Sequence, residues 1–374
     1  MLSALALVLS EGRGRAQDIK LDPALPYQAK KADPVTYEVD FSAVVTPPYH
    51  AKVLKVWLPL PQSNEAQQVT EGELSSFPQK VKPRIGAEKV FGNKFAYFEF
   101  DHPEGAQIVR HKFKIKIWEL RWDVDPANVR AIKEWPESFA PYLRGEKQAV
   151  VVTDDIRKFV RELVPDTKGE GKDLQSVFTW VSDTMKYDHD KASLAASSVN
   201  AFTLKAGHCS DYHGLCSALG RALGYPTRMT YGINPFPKNS PSHCKMEAFL
   251  PPYGWVSFDV SETQQMIKKI NDNKDLAPDL KEKLIAAAKD RLFKGFRDNT
   301  WFNQTRGSDY ELEPPAAKRA AVVRTIYAEA DGVALPEPDP ANTSSRAFSW
   351  MTVHDYRADR MVTYPFSDWK SLLK

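Results

Sequence analysis

Cys209, His243 and Asp259 are the residues of this 374-residue chain whose types and spacing best suit covalent chemistry. A cysteine attacks a carbonyl carbon as its thiolate, and a free thiol with a pKa of about 8.5 is only slightly ionised at neutral pH. Cys209 opens a segment with helical spacing that buries Leu215, Leu219 and Leu223 and stops at Gly224-Tyr225-Pro226. His243 stands at the start of a strand-like segment and Asp259 at the end of the next one. A nucleophile, a base and a group that orients the base are the parts of a catalytic triad.

Magnitudes decide which neighbour matters most. Lowering a thiol to about 4–6 means roughly 3–6 kcal/mol of preferential thiolate stabilisation, at about 1.36 kcal/mol per unit. A helix N-terminus supplies about 0.3–1 kcal/mol, so an imidazolium at His243 must carry most of the shift. His243 and Asp259 are separated by a strand, the turn Pro251-Pro252-Tyr253-Gly254 and a second strand. A hairpin brings such ends together, with register deciding whether they share a face. His213, four residues after Cys209, is a rival base, with His208 and His189 nearby. Together with Cys244 these histidines could form a mixed Cys/His zinc site. There is no CxxC or HxxxH pair and no regular ligand spacing, so neither a metal nor a cofactor is expected.

The elements that must position these residues follow from periodicity. From Val35 to Trp122 the pattern is mainly period two, as in Tyr37, Val39, Phe41 and in Phe113, Ile115, Ile117, with turn-forming Pro and Gly between the runs. That predicts an antiparallel β-sandwich-like domain over residues 18–124. Helical spacing follows, with Asp154 or Asp155 expected to cap one helix and Asp173 a second. After the Cys209 helix come short strands at Thr227–Tyr231, Glu247–Leu250 and Trp255–Asp259. Helices followed by an antiparallel sheet predict an α+β core over 125–265. Residues 266–374 read as an amphipathic helix with Leu284, Ala287, Ala288 and Leu292, then a Pro-rich extension without a clear period.

Composition excludes more than it assigns. With 51 basic and 48 acidic residues interspersed and a net charge of +3, no nucleic-acid footprint stands out. No stretch approaches the ~18 apolar residues of a membrane span. The apolar run at 2–9, followed by small and polar residues to Gln17, resembles a secretory signal lacking its basic start, so residues 1–17 are expected to direct export to the periplasm or exterior. Of the three cysteines at 209, 216 and 244, at least one must be a free thiol. On one helix, Cys209 and Cys216 would stand ~10 Å apart, beyond the ~7 Å reach of a bridge.

Two motifs go further. Gly207-His208-Cys209-Ser210-Asp211-Tyr212 followed by Arg221-Ala222-Leu223-Gly224-Tyr225-Pro226-Thr227-Arg228, and His243 with Glu247, Phe249-Leu250-Pro251, Gly254-Trp255 and Asp259, resemble the transglutaminase-like superfamily, whose core is shared with papain-like cysteine proteases. Trp180-Val181 with Tyr187-Asp188, Val56-Trp57-Leu58-Pro59-Leu60-Pro61 and Arg306-Gly307-Ser308-Asp309 extend the resemblance over roughly residues 35–335, as in bacterial members with an N-terminal β-domain. The resemblance implies a papain/transglutaminase-like core, helices packed on an antiparallel sheet, and attack of Cys209 on a protein or peptide carboxamide. The resulting thioester would pass to water or to an amine. Tyr187 and the Cys209 backbone N–H are the implied oxyanion donors, while Asp211 and Tyr212 are expected to cap and pack the helix, and Arg228 and Glu247 to form an exposed strand pair. Where the family usually has Ala-Trp after the histidine, this chain has Cys244-Lys245. In an oxidising compartment Cys244 is open to pairing with Cys216 or Cys209, which would silence the enzyme. A catalytically silent binding or scaffold protein is therefore the alternative.

Overall fold

The computed structural model describes residues 20–167, 169–236, 241–338 and 349–373; the signal-like stretch at 1–17 lies outside them. Period-two patterning makes a sandwich of two antiparallel sheets. In Lys30–Val45 the residues Tyr37, Val39, Phe41, Ala43 and Val45 are buried in alternation, and the strand pairs with Gln107–Arg121 on one side and Trp350–Ala358 on the other. In the second sheet Val53–Leu60 lies between Lys94–Asp101 and Tyr327–Ala330. Phe41, Phe113 and Ile115 from the first sheet meet Leu54, Val56, Phe98 and Phe100 from the second in one core.

A third sheet carries the site. Its order is Gly254–Phe258, Ser242–Leu250, Thr227–Ile233, Phe302–Arg306, all antiparallel. The helix Cys209–Ala222 packs on Ser242–Leu250 and is surrounded by Asp154–Leu163, Lys172–Thr184, Ser198–Leu204 and Val260–Asp272. Every residue from Cys209 to Arg221 is buried. Helices on an antiparallel sheet, beside a β-sandwich, make the molecule α+β.

The helix starts differ from expectation. Thr153 caps the first helix by accepting the Ile156 N–H, with Asp154 and Asp155 in the first turn, and Gly171 is the cap of the next. Asp173 instead accepts the Gly169 N–H and the Tyr225 hydroxyl. The helix Val260–Asp272 goes beyond the expected elements and buries Val260, Met266 and Ile270. Residues 266–374 contain the expected helix, Pro278–Lys294, which buries Leu284, Ala288 and Leu292. They also supply strands to all three large sheets: Phe296–Arg297 and Trp350–Ala358 to the first, Tyr327–Ala330 and Val333–Ala334 to the second, and Phe302–Arg306 to the third. Among the described residues no helix is long and apolar enough to cross a membrane.

The third sheet is tightest where His243 lies opposite Gly232. A Cβ on Gly232 would stand 1.9 Å from the Phe302 carbonyl oxygen and 2.7 Å from the Trp301 ring. Gly232→Ala is therefore expected to push Phe302–Arg306 off the sheet and lower stability by at least about 1–3 kcal/mol, the range for overpacking. Urea denaturation checks this.

Candidate active site

Cys209 is the first residue of its helix. Asp211 closes the start, its carboxylate accepting the His208 N–H at 3.1 Å, and Gly207 approaches at φ +150, where a side chain would run into Asp211. Ala206-Gly207 pairs in parallel with Lys186-Tyr187, which sets Tyr187 beside the helix start. The Cys209 backbone N–H faces the Tyr187 hydroxyl oxygen; burial first, and then the charge on Cys209, push the phenol above the ordinary tyrosine pKa.

His243 and Asp259 are joined by hairpin register, though not directly opposite. Met246 pairs with Phe258, and one further step places Asp259 level with Lys245, two residues from His243. Residues two apart on a strand share a face, so His243 and Lys245 both reach the one carboxylate. His243 Nε2 stands 2.8 Å from Asp259 Oδ2, and Lys245 Nζ donates to the same oxygen at 2.7 Å and to Asp298 Oδ2 at 2.9 Å. Asp259 Oδ1 accepts the Glu262 N–H at 3.1 Å, capping the helix that follows. With Nε2 committed to Asp259, Nδ1 of His243 is left for the Cys209 sulfur, to which the ring is hydrogen-bonded.

The electrostatics form an ion pair. Cys209 is held well below the ordinary thiol range, first by a hydrogen bond from Cys244 and then, against the cost of burial, by the His243 charge. Burial pulls His243 down, but Asp259 and the Cys209 thiolate overrule it and push it up to about 9. Burial likewise opposes ionisation of Asp259, and Lys245 and His243 hold its carboxyl well below the usual range. Burial alone pushes the Cys216 thiol up.

The site lines a cavity of about 570 Å³. Tyr187, Cys209, His243, Glu262 and Arg324 form one side, and Trp350, Met351 and His354 from the edge strand of the sandwich form another. Met351 is 51% exposed, so the cavity communicates with solvent.

The structure brings Cys209, His243, Asp259 and Tyr187 together. His213 shares the Cys209 helix face but is buried and held near a pKa of about 4 by that burial, and its Nε2 accepts the Val260 N–H at 3.1 Å. His208 Nε2 stands 2.8 Å from Arg324 Nη1. Arg228 and Glu247 are not an exposed pair: both are buried, 2.6 Å apart, with the guanidinium on the Trp255 ring and the Tyr27 hydroxyl donating to Glu247. The sheet they lie in is covered on that side by the N-terminal segment. All three cysteines are free thiols. Sequence reasoning missed Lys245, Asp298 and Arg324. A lysine two residues after His243 was the available signal for the first, because only a buried carboxylate could hold it there.

Residues 157–260 match the model of the transglutaminase-like superfamily. A candidate cysteine protease from Cytophaga hutchinsonii superposes at a TM-score of 0.62, covering 90% of this chain and 95% of its own at 12% identity, which shows the fold. The periplasmic domain of TgpA from Pseudomonas aeruginosa matches 64% of this chain and 91% of its own at 15% identity, with a TM-score of 0.33. No curated protein sequence matches the chain.

Lys245→Met leaves Asp298 buried without its cation and Asp259 with His243 alone, and is expected to cost about 3–5 kcal/mol in urea unfolding, as breaking a buried pair does. The ion pair also predicts a pH profile. His243, at about 9 in the folded state against about 6.5 unfolded, contributes stability fully below about 6.5, and that contribution is lost as pH rises through 9. Cys209, depressed in the folded state, contributes fully above about 8.5 and loses it as pH falls through its folded value. The stability difference between wild type and a Cys209→Ala, His243→Ala double variant is expected to be largest and flat between about pH 6.5 and 8.5, read by denaturation across pH.

Proposed function

We propose that this chain, with its transglutaminase-like domain at residues 157–260, is a cysteine enzyme that opens protein or peptide carboxamides through a thioester on Cys209. The observation that carries this reading is the Cys209–His243 contact backed by Asp259 at 2.8 Å, in a cavity open to solvent.

The Cys209 thiolate attacks the carbonyl carbon, and the electron pair of the C=O bond moves to oxygen. The Cys209 backbone N–H at the helix start, freed from the Tyr187 oxygen it faces, and the Tyr187 hydroxyl would donate to that charge. Collapse expels the amine, which takes the proton from His243 Nδ1 and leaves a thioester. Asp259 keeps the ring oriented throughout and stabilises its charged form. Neutral His243 then takes a proton from water, which attacks the thioester, releases the acid and restores the thiolate–imidazolium pair. An amine in place of water gives transamidation. Access of water to the cavity beside Met351 supports hydrolysis as the main outcome. The signal-like run at residues 2–9 supports a periplasmic or secreted location. Cys209 is a free thiol on the cavity wall, which weighs against a scaffold silenced by a disulfide.

The reading is tested by iodoacetamide alkylation of the reduced full chain, each cysteine read by peptide mass across pH. Cys209 alone should react, with an apparent pKa well below about 8.5, and His243→Ala should remove the shift. With casein as substrate, wild type should generate new amine termini or carboxylates that Cys209→Ala does not. An inert Cys209, or three cysteines titrating alike, sinks the proposal.

A further inference from the structure

Trp350–Ala358 is the last strand of its sheet. It pairs with Lys30–Val45 from Tyr37 opposite Ala358 to Val45 opposite Trp350, without a register shift, and among the described residues no strand pairs with its other side. The ladder bonds fix which residues face which way. The Thr46 N–H donates to the Ser349 carbonyl and the Asp359 N–H to the Thr36 carbonyl, so the odd-numbered residues of this strand exchange hydrogen bonds with Lys30–Val45. In an antiparallel pair such residues alternate with others whose N–H and C=O point away from the partner. Those others are Trp350, Thr352, His354 and Tyr356. Trp350, Thr352 and His354 line the cavity that holds Cys209 and His243, together with Pro241 and Ser242. The unpaired edge therefore opens into the active-site cavity.

Edge strands are ordinarily blunted by Lys, Pro or a bulge. Gln67–Phe77, on the other side of the same sheet, shifts register between Thr70 and Glu73. Trp350–Ala358 contains neither Lys nor Pro and keeps its register throughout. Met351 and Val353, on its outer face, are 51% and 52% exposed. We propose that this edge binds the substrate: an extended peptide adds to it as a further strand, the backbone of its acyl side pairing with Trp350, Thr352 and His354 while the reacting carbonyl enters at Cys209. This deepens the reading of Cys209 as the nucleophile and rests on it. Strand addition draws affinity from main-chain hydrogen bonds and specificity from alternate side chains. Trp350 to His354 spans ~14 Å at ~3.4 Å per residue, enough for about four substrate residues. Substrate side chains on the outer face meet Met351 and Val353, which favours apolar residues at every second position. The acyl side stays attached through the thioester while the amine leaves, so an anchor on that side holds the intermediate in place for water.

The test labels Cys209 of the wild-type chain with acetyl-alanyl acyloxymethyl ketone, and with the same ketone extended by one, two or three valines, the adduct read by peptide mass. The thiolate displaces the carboxylate of the ketone and forms a thioether. The longest probe should label about tenfold faster than the shortest, the worth of one or two backbone hydrogen bonds. N-Methylation of each residue of the longest probe should cost about tenfold at alternate positions and little between them, because only every second N–H faces the edge. Thr352→Pro removes an outward N–H and no ladder bond, and should erase most of the gain from length. Damage to the fold alone would slow short and long probes alike. If that variant does not fold, the N-methyl scan of wild type decides. Labelling by the shortest probe with no gain from length, or N-methyl costs without alternation, overturns the strand site and leaves the enzymatic reading standing. No labelling of Cys209 by any probe brings down both. A second copy of this chain is the rival occupant: a dimer in sedimentation that Thr352→Pro converts to monomer overturns the proposal.

Discussion

The carboxylate of Asp259 is the constraint on which the rest depends. One oxygen serves His243 and Lys245, and the other caps the helix beginning at Val260. It follows a strand, caps a helix and orients the His243 ring at once. Burying a carboxylate is costly unless its partners are close and its lone pairs are used. Here Lys245 extends the network to Asp298, so the histidine, lysine and two carboxylates share one buried array. Balanced charge lets His243 be protonated in the interior without leaving a lone anion behind it.

The thiolate at Cys209 is a second buried charge, held by several weaker means. The helix start offers its unpaired N–H groups but only a small fraction of the energy required. The imidazolium of His243 supplies a full charge.

The sandwich is more than an appendage to this core. Its edge strand, Trp350–Ala358, walls the cavity, and the segment joining the core helices to that strand adds Phe302–Arg306 to the core sheet on the way. Arg324 comes from the same return path, bonding His208 and Glu337 at the helix start. The chain therefore passes between the two folded layers more than once, and the cavity exists where they meet.

Sequence by itself determined the parts that depend on local periodicity and local chemistry. The alternating runs of Lys30–Val45 and Gln107–Arg121, the helix opening at Cys209 and the order of Cys, His and Asp could all be read along the chain, because side-chain spacing reports burial on a regular element. Tertiary structure alone decided which groups share a carboxylate, since hairpin register sets Lys245 level with Asp259 and puts His243 on the diagonal. It decided that Arg228 and Glu247 are buried and that a strand some 140 residues beyond Cys209 walls the cavity. Pairings between distant segments leave no periodic trace in either one. Register and burial are properties of the assembled sheet, and the chemistry of the site is set at that level.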